Sequence, residues 1–254
     1  MKKNNYKILM LSDLNGDTAS ILKSTISLAK MIDGDVNFFH VKSAADIVEK
    51  DNQLSAMRVI NKEYTAINKQ IQNLINPMSK EYDASIHFTF SFGNIKDEID
   101  KHIQEVQPDI IVLGKKKSNP FNFIGDHITE FVLKAHSGVI MIASDKNGLE
   151  PNQEIALGIL NGLEPSSNLE FADDLIRNSQ KPLKSFNVVN TSKTKKEPQT
   201  SSDGKIVTYV FEKNDNSIKN VSNYVSKNNI NLLCINRKYN DAINKLEVSL
   251  LVSN

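Results

Sequence analysis

The chain has 254 residues, enough for one large domain or two of ordinary size. Its 31 basic and 30 acidic residues leave a formal charge of +1, which argues against a nucleic-acid binder driven by bulk phosphate neutralisation. The one cysteine, Cys234, lies in an apolar run; it can form neither a disulfide nor a cysteine-based metal site and reads as a buried, inert thiol. No stretch approaches the ~18 apolar residues of a membrane span, so no membrane partner is expected. The opening MKKNNYKILML is interrupted at Ser12 and Asp13, too short for a signal peptide, and the expectation is a cytoplasmic protein.

In chain order, residues 6–11 form a continuous apolar run, as in a strand covered on both faces of a parallel sheet. Asp13, Asn15, Gly16 and Asp17 make a turn cluster. Ile21, Leu22, Ile26, Ala29 and Ile32 recur at helical spacing, with Gly34 placed to end that helix. VNFFHV at 36–41 is a second strand. Met57, Ile60, Tyr64, Ile67, Ile71 and Leu74 then mark a long helix with a buried stripe, and Pro77 lies just past its end. Residues 85–92 read as a third strand, Ile95 to Val106 as a helix and Ile110 to Leu113 as a fourth strand. A basic loop, a helix over 126–135 and a strand over 139–143 complete the unit. Strands alternating with helices imply βαβ crossovers and a parallel sheet.

The same order then begins again. A linker over 145–152 carries Gly148 and Pro151. EIALGIL at 154–160, a helix over 167–178 and a strand over 183–189 copy the first βαβ. KIVTYVFEKN and NLLCINRKY echo SIHFTFSFGN and DIIVLGKKK, so the chain reads as a duplication. Aligning Lys7 with Glu154 gives an offset of 147, and Asp109 with Asn231 an offset of 122, so 25 residues are missing between those points. The long helix is replaced by the polar stretch 191–204, read as a solvated loop rather than a lysine docking patch. Near the end, Ile243, Leu246, Leu250 and Val252 suit a last helix, which leaves no fifth strand and an uncovered edge at 232–235 for the first half or another molecule to fill. LEVSLLV is ambiguous, and the alternative is that it forms that strand itself.

The closing GDHITEFVLKAHSGVIMIAS and the opening KILMLSDLNGDTASILKSTISLAKMIDGDVNFFHV together resemble the universal stress protein family. Gly125, Leu133, Ala135 or its neighbour and the final apolar strand match the family's closing pattern, and Asp13 and His40-Val41 stand at the ends of the first two strands. The resemblance covers nearly all of residues 5–145 and, more weakly, 153–254. It implies α/β architecture: two tandem Rossmann-like parallel-sheet domains, complete over 1–146 and shortened over 153–254. Each would have strand order 3-2-1-4-5, and the two would pack as an intramolecular pseudo-dimer with a homodimer as a further option.

The resemblance also implies a stress-response protein, non-catalytic, with ATP or another adenine nucleotide as the one cofactor to consider. Nucleotide-binding members resemble one another in a G-x-x-G-x9-G-(S/T) loop after the fourth strand. Its glycines let backbone N–H groups approach phosphates, and the last pair opens a helix toward them. Here Gly114 and Gly125 match, Lys117 replaces the second glycine, and Asp126 replaces Ser/Thr. Asp126 reads as a helix cap; beside phosphates it would repel them by a few kcal/mol at ~5 Å, which Lys115, Lys116 and Lys117 could offset. The site implied by the resemblance is therefore Asp13 at ribose or base, Val41 offering backbone to the base, and Gly114, Lys115, Lys117 and Gly125 at the phosphates, with Asp126 impairing it. The second half has Asn236-Arg237-Lys238-Tyr239 in that loop and Leu160-Asn161-Gly162 where Asp13 would be, and reads as a site lost.

His127 and His136 fall on opposite helix faces, and His40 and His87 lie on strands, where a hydrogen-bonded structural role is the reading. No catalytic residue, metal site or protein partner is assigned. Three readings follow: weak nucleotide binding in the first half, a ligand-free structural or partner-binding protein, and, least supported, an ATP hydrolase.

Overall fold

The computed structural model describes residues 5–43, 53–115, 123–162, 169–190, 199–201 and 204–253. The first half runs β1 (Tyr6–Ser12), α1 (Thr18–Ile32), β2 (Gly34–Ser43), α2 (Gln53–Tyr82), β3 (Ile86–Gly93), α3 (Ile95–Val106), β4 (Ile110–Gly114), α4 (Phe123–Ala135) and β5 (Val139–Ala143). The second runs β6 (Leu157–Leu160), α5 (Leu169–Arg177), β7 (Leu183–Val189), β8 (Gln199–Thr200), β9 (Ile206–Glu212), α6 (Ser217–Lys227) and β10 (Leu232–Asn236). A 3-10 segment (Arg237–Lys245) and β11 (Ser249–Ser253) finish it. Among the described residues eleven strands form one sheet in the order β3-β2-β1-β4-β5-β11-β10-β6-β7-β9-β8.

Each half keeps the expected order: β3-β2-β1-β4-β5, mirrored by β9-β7-β6-β10-β11. Pairing within a half is parallel, except for β8, which runs antiparallel to β9. The halves meet through antiparallel β5 and β11, with Met141 opposite Leu251. Both faces are covered. Ile8 and Met10 of β1 enter one core while Leu9 and Leu11 enter the other, as the period of two along a strand requires.

The fifth strand of the second half is therefore present, against the expectation of a last helix. Leu250, Leu251 and Val252 are buried and paired on both sides, to β10 and β5. Periodicity could not separate helix from strand in LEVSLLV; a waiting edge on each side does. The strand over 232–235 thus has no open edge, and the first half covers β11 instead. Among the described residues the β7–β9 crossover contains β8 and no helix. Cys234 is buried, and burial pushes its thiol up to about 12.

Three boundaries differ from the sequence reading. Asp33, not Gly34, takes the left-handed cap of α1 (φ 57°), and its N–H reaches Ala29 O. Gly34 opens β2 against β1, where a Cβ would lie 2.7 Å from Ile8 Cδ1. Helix α2 passes through Pro77 and ends at Tyr82, because Met78 and the buried Tyr82 continue its apolar stripe past the proline. That stripe is buried only in part: Ile67, Ile71 and Ile75 are in the core, whereas Met57, Ile60 and Tyr64 are 63%, 39% and 53% exposed.

Candidate functional site

The chemistry-bearing end of such a sheet is the crevice outside the carboxyl ends of β1 and β4, where the strand order reverses. Asp13 follows β1 there, exposed, with its Oδ1 accepting from Asn15 N at 3.1 Å to close a short turn. Leu14 is held in a left-handed conformation (φ 58°), and its N–H donates to Ser12 Oγ at 3.0 Å. On the next strand His40 Nδ1 lies 2.8 Å from Ser12 O, locking the ends of β1 and β2 together. Burial lowers the His40 pKa, against the raising effects of that bond and of Asp13. The structural reading of His40 is thereby met. Val41, one residue on, is half-buried against the core face that holds Leu11 and Leu113.

Gly114 ends β4 at the same side of the sheet. The space its missing Cβ would take belongs to Ile21 of α1, whose Cδ1 would lie 2.2 Å away. A larger residue there would force the Ile21 side chain to move. Lys115 takes a different course from the phosphate role implied by the resemblance. Its backbone N–H donates to Ala143 O at 2.7 Å, and its half-buried ammonium donates to Ile243 O at 2.8 Å and to Leu246 O, both in the second half. Burial lowers its pKa, with Glu247 and Asp145 opposing. Lys116 and Lys117 lie outside the described residues. Helix α4 begins at Phe123, so Gly125 and Asp126 fall within its first turn and Asp126 is not its cap.

The structure thus brings Asp13, Val41 and Gly114 to one end of the sheet and engages the Lys115 ammonium with carbonyls of the second half. In the second half Asn161 stands at the corresponding place, just after β6. Asn161 is left-handed (φ 56°), its Oδ1 accepts from Val188 N at 2.7 Å, and its N–H donates to Phe186 O at 2.7 Å. Asn236 Oδ1 accepts from Lys238 N at 3.0 Å. The Asn161–Val188 bond joins residues 27 positions apart, and only the preference of Asn for left-handed backbone hinted at Asn161.

A cavity of about 420 Å³ opens at the opposite, amino end of β1, β4 and β5, lined in part by Gln104, Asp109, His136 and Phe171. His136 Nε2 is 3.4 Å from Asp109 O, and burial lowers its pKa. Among the described residues no group of three or more His, Cys, Asp or Glu is placed to hold a metal ion.

The family model described as "Universal stress protein family" matches residues 5–143, more than half of the chain. The chain belongs to the universal stress protein family. Among solved structures, this family member is similar to a universal stress protein from Archaeoglobus fulgidus DSM 4304. That match has 13% identity and a TM-score of 0.66, covering 98% of this chain and 96% of that one. It is also similar to a functionally unknown protein from Pseudomonas aeruginosa PAO1, at 12% identity and a TM-score of 0.61, covering 99% and 93%. At these identities the likeness concerns the fold. Among curated proteins none matches the sequence significantly.

Proposed function

We propose that this universal stress protein is a non-catalytic, cytoplasmic stress-response protein whose first half binds adenine nucleotide weakly at most. The observation that carries this reading is the Lys115 ammonium, which is engaged by Ile243 O and Leu246 O of the second half. The basic residue nearest Gly114 is therefore committed to holding the halves together. Ile21 of α1 packs close against Gly114, and Asn161 Oδ1 is engaged by Val188 N of β7. Among the described residues no helix is long and apolar enough to cross a membrane.

A ligand-free, partner-binding role is the second reading. It is favoured by the exposed Met57, Ile60 and Tyr64, with Tyr64 tilted against Phe90 of the edge strand β3 at 4.8 Å between ring centroids. Calorimetry with ATP separates the two. The natural protein should show binding only near millimolar concentration, and Asp126→Ser should tighten it by removing a negative charge from the first turn of α4. No heat from either protein favours the partner-binding role. Micromolar binding by the natural protein would overturn both readings.

A further inference from the structure

We infer that Lys115 and Arg237 are a matched pair of clamps, each the first residue after its half's fourth strand and each binding the carbonyl cluster that precedes the other half's fifth strand. Lys115 donates to the carbonyls of Ile243 and Leu246, at the end of the 3-10 segment that leads into β11. Arg237 donates through Nη1 to Leu133 O at 3.2 Å and His136 O at 2.8 Å, and through Nη2 to Gly138 O at 2.8 Å. These three carbonyls close α4 and lead into β5.

The correspondence is positional as well as chemical. Ile243 and Leu246 lie 110 positions after Leu133 and His136 (243 − 133 and 246 − 136). The same 110 separates Met141 from Leu251, which face each other across β5 and β11 (251 − 141). Lys115 and Arg237 hold equivalent places, one residue beyond β4 and β10. The two contacts are thus exchanged by the pseudo-twofold relation that exchanges the halves, as in an isologous interface, where residue i meets j and j meets i.

Physical chemistry favours this use of the two cations. The last carbonyls of a helix lack intrahelical partners and carry the negative end of its dipole, so a cation there satisfies both. Arg237 reaches Leu133 O and His136 O at the end of α4, and Gly138 O just before β5, with one planar group, and it is half-buried by the contact. Hydrogen bonds to charged groups are worth more than neutral ones. The clamps flank the β5–β11 ladder, in which three residue pairs are in register, and supply the charge-assisted part of that junction. The inference holds whether or not a nucleotide binds. It also links the first half's crevice to the junction, because one side chain stands at the mouth of one and fastens the other.

Hydrogen exchange on the full chain tests it. Lys115→Met should speed exchange of the Ile140, Met141, Ile142 and Leu250 to Val252 amides by about tenfold or more. Exchange between β1 and β2 should stay unchanged. Lys115→Arg should keep wild-type protection, because an arginine already does this work at the equivalent place, and Arg237→Lys should keep most of it. Unchanged protection in Lys115→Met, or equal loss in every strand, would overturn the inference. Should Lys115→Met fail to fold, Lys115→Arg decides: a protected ladder supports the clamp and an opened one refutes it.

Discussion

Gly114 and Ile21 meet where β4 ends beneath α1, so closely that a Cβ on Gly114 would lie 2.2 Å from Ile21 Cδ1 and 3.1 Å from Cγ1. The glycine that the family resemblance assigns to a phosphate loop thus also makes room for the Ile21 side chain. Gly114→Ala should destabilise the protein by about 1 to 3 kcal/mol through overpacking. The double variant Gly114→Ala, Ile21→Val should recover part of that loss, since it removes the Cδ1 methyl. Denaturant unfolding of the three proteins measures it, and an unaffected Gly114→Ala would show that the contact is slack.

Acid should weaken the fold before its carboxylates titrate. Burial lowers the pKa of His40, His102 and His136 from 6.5. Between the folded values and 6.5 the unfolded chain binds more protons, so stability is full above that window and falls as pH drops through it. His102 stacks on Phe39 at 3.9 Å between ring centroids, and its buried Nε2 has no hydrogen-bond partner. His102→Phe should keep the stack, flatten part of the acid slope and cost little at neutral pH. Denaturation midpoints taken at steps from about pH 7.5 to 5 show it, and an unaltered slope would refute the assignment.

The stripe of α2 should divide into two energetic classes. Ile71 is fully buried and Met57 is 63% exposed. Ile71→Ala should cost about 2 to 5 kcal/mol, whereas Met57→Lys should stay within about 0.5 kcal/mol. Equal losses would mean that the exposed turn is covered in solution, which would strengthen the partner-binding reading.

Pro77 lies inside α2, five residues before its end at Tyr82. It lacks the N–H that a helix position donates and crowds the preceding turn. Pro77→Ala should therefore raise stability by about 1 kcal/mol or more, less the entropy the proline removes from the unfolded chain. A lower melting temperature in the variant would show that the helix depends on the proline.

The duplicated alternation of strands and helices and the two 3-2-1-4-5 strand orders were legible in the sequence. They rest on short-range periodicity in runs such as residues 6–11 and on the restriction of βαβ crossovers to one hand. The ends of elements were less legible. Asp33 rather than Gly34 caps α1, and α2 continues through Pro77, because packing outweighs local preference over a single turn.

Of the candidate site, Asp13 follows β1 and Gly114 ends β4 as the apolar runs suggest, whereas β2 continues two residues past Val41 to Ser43. What Lys115 does was not readable. Its partners, Ile243 and Leu246, lie 128 and 131 positions away, and nothing near Lys115 in the chain marks them. The same holds for LEVSLLV, whose pattern suits helix and strand alike. Tertiary structure made it β11 because β10 and β5 each present an edge there, and unpaired backbone groups in a core cost more than any local preference can return.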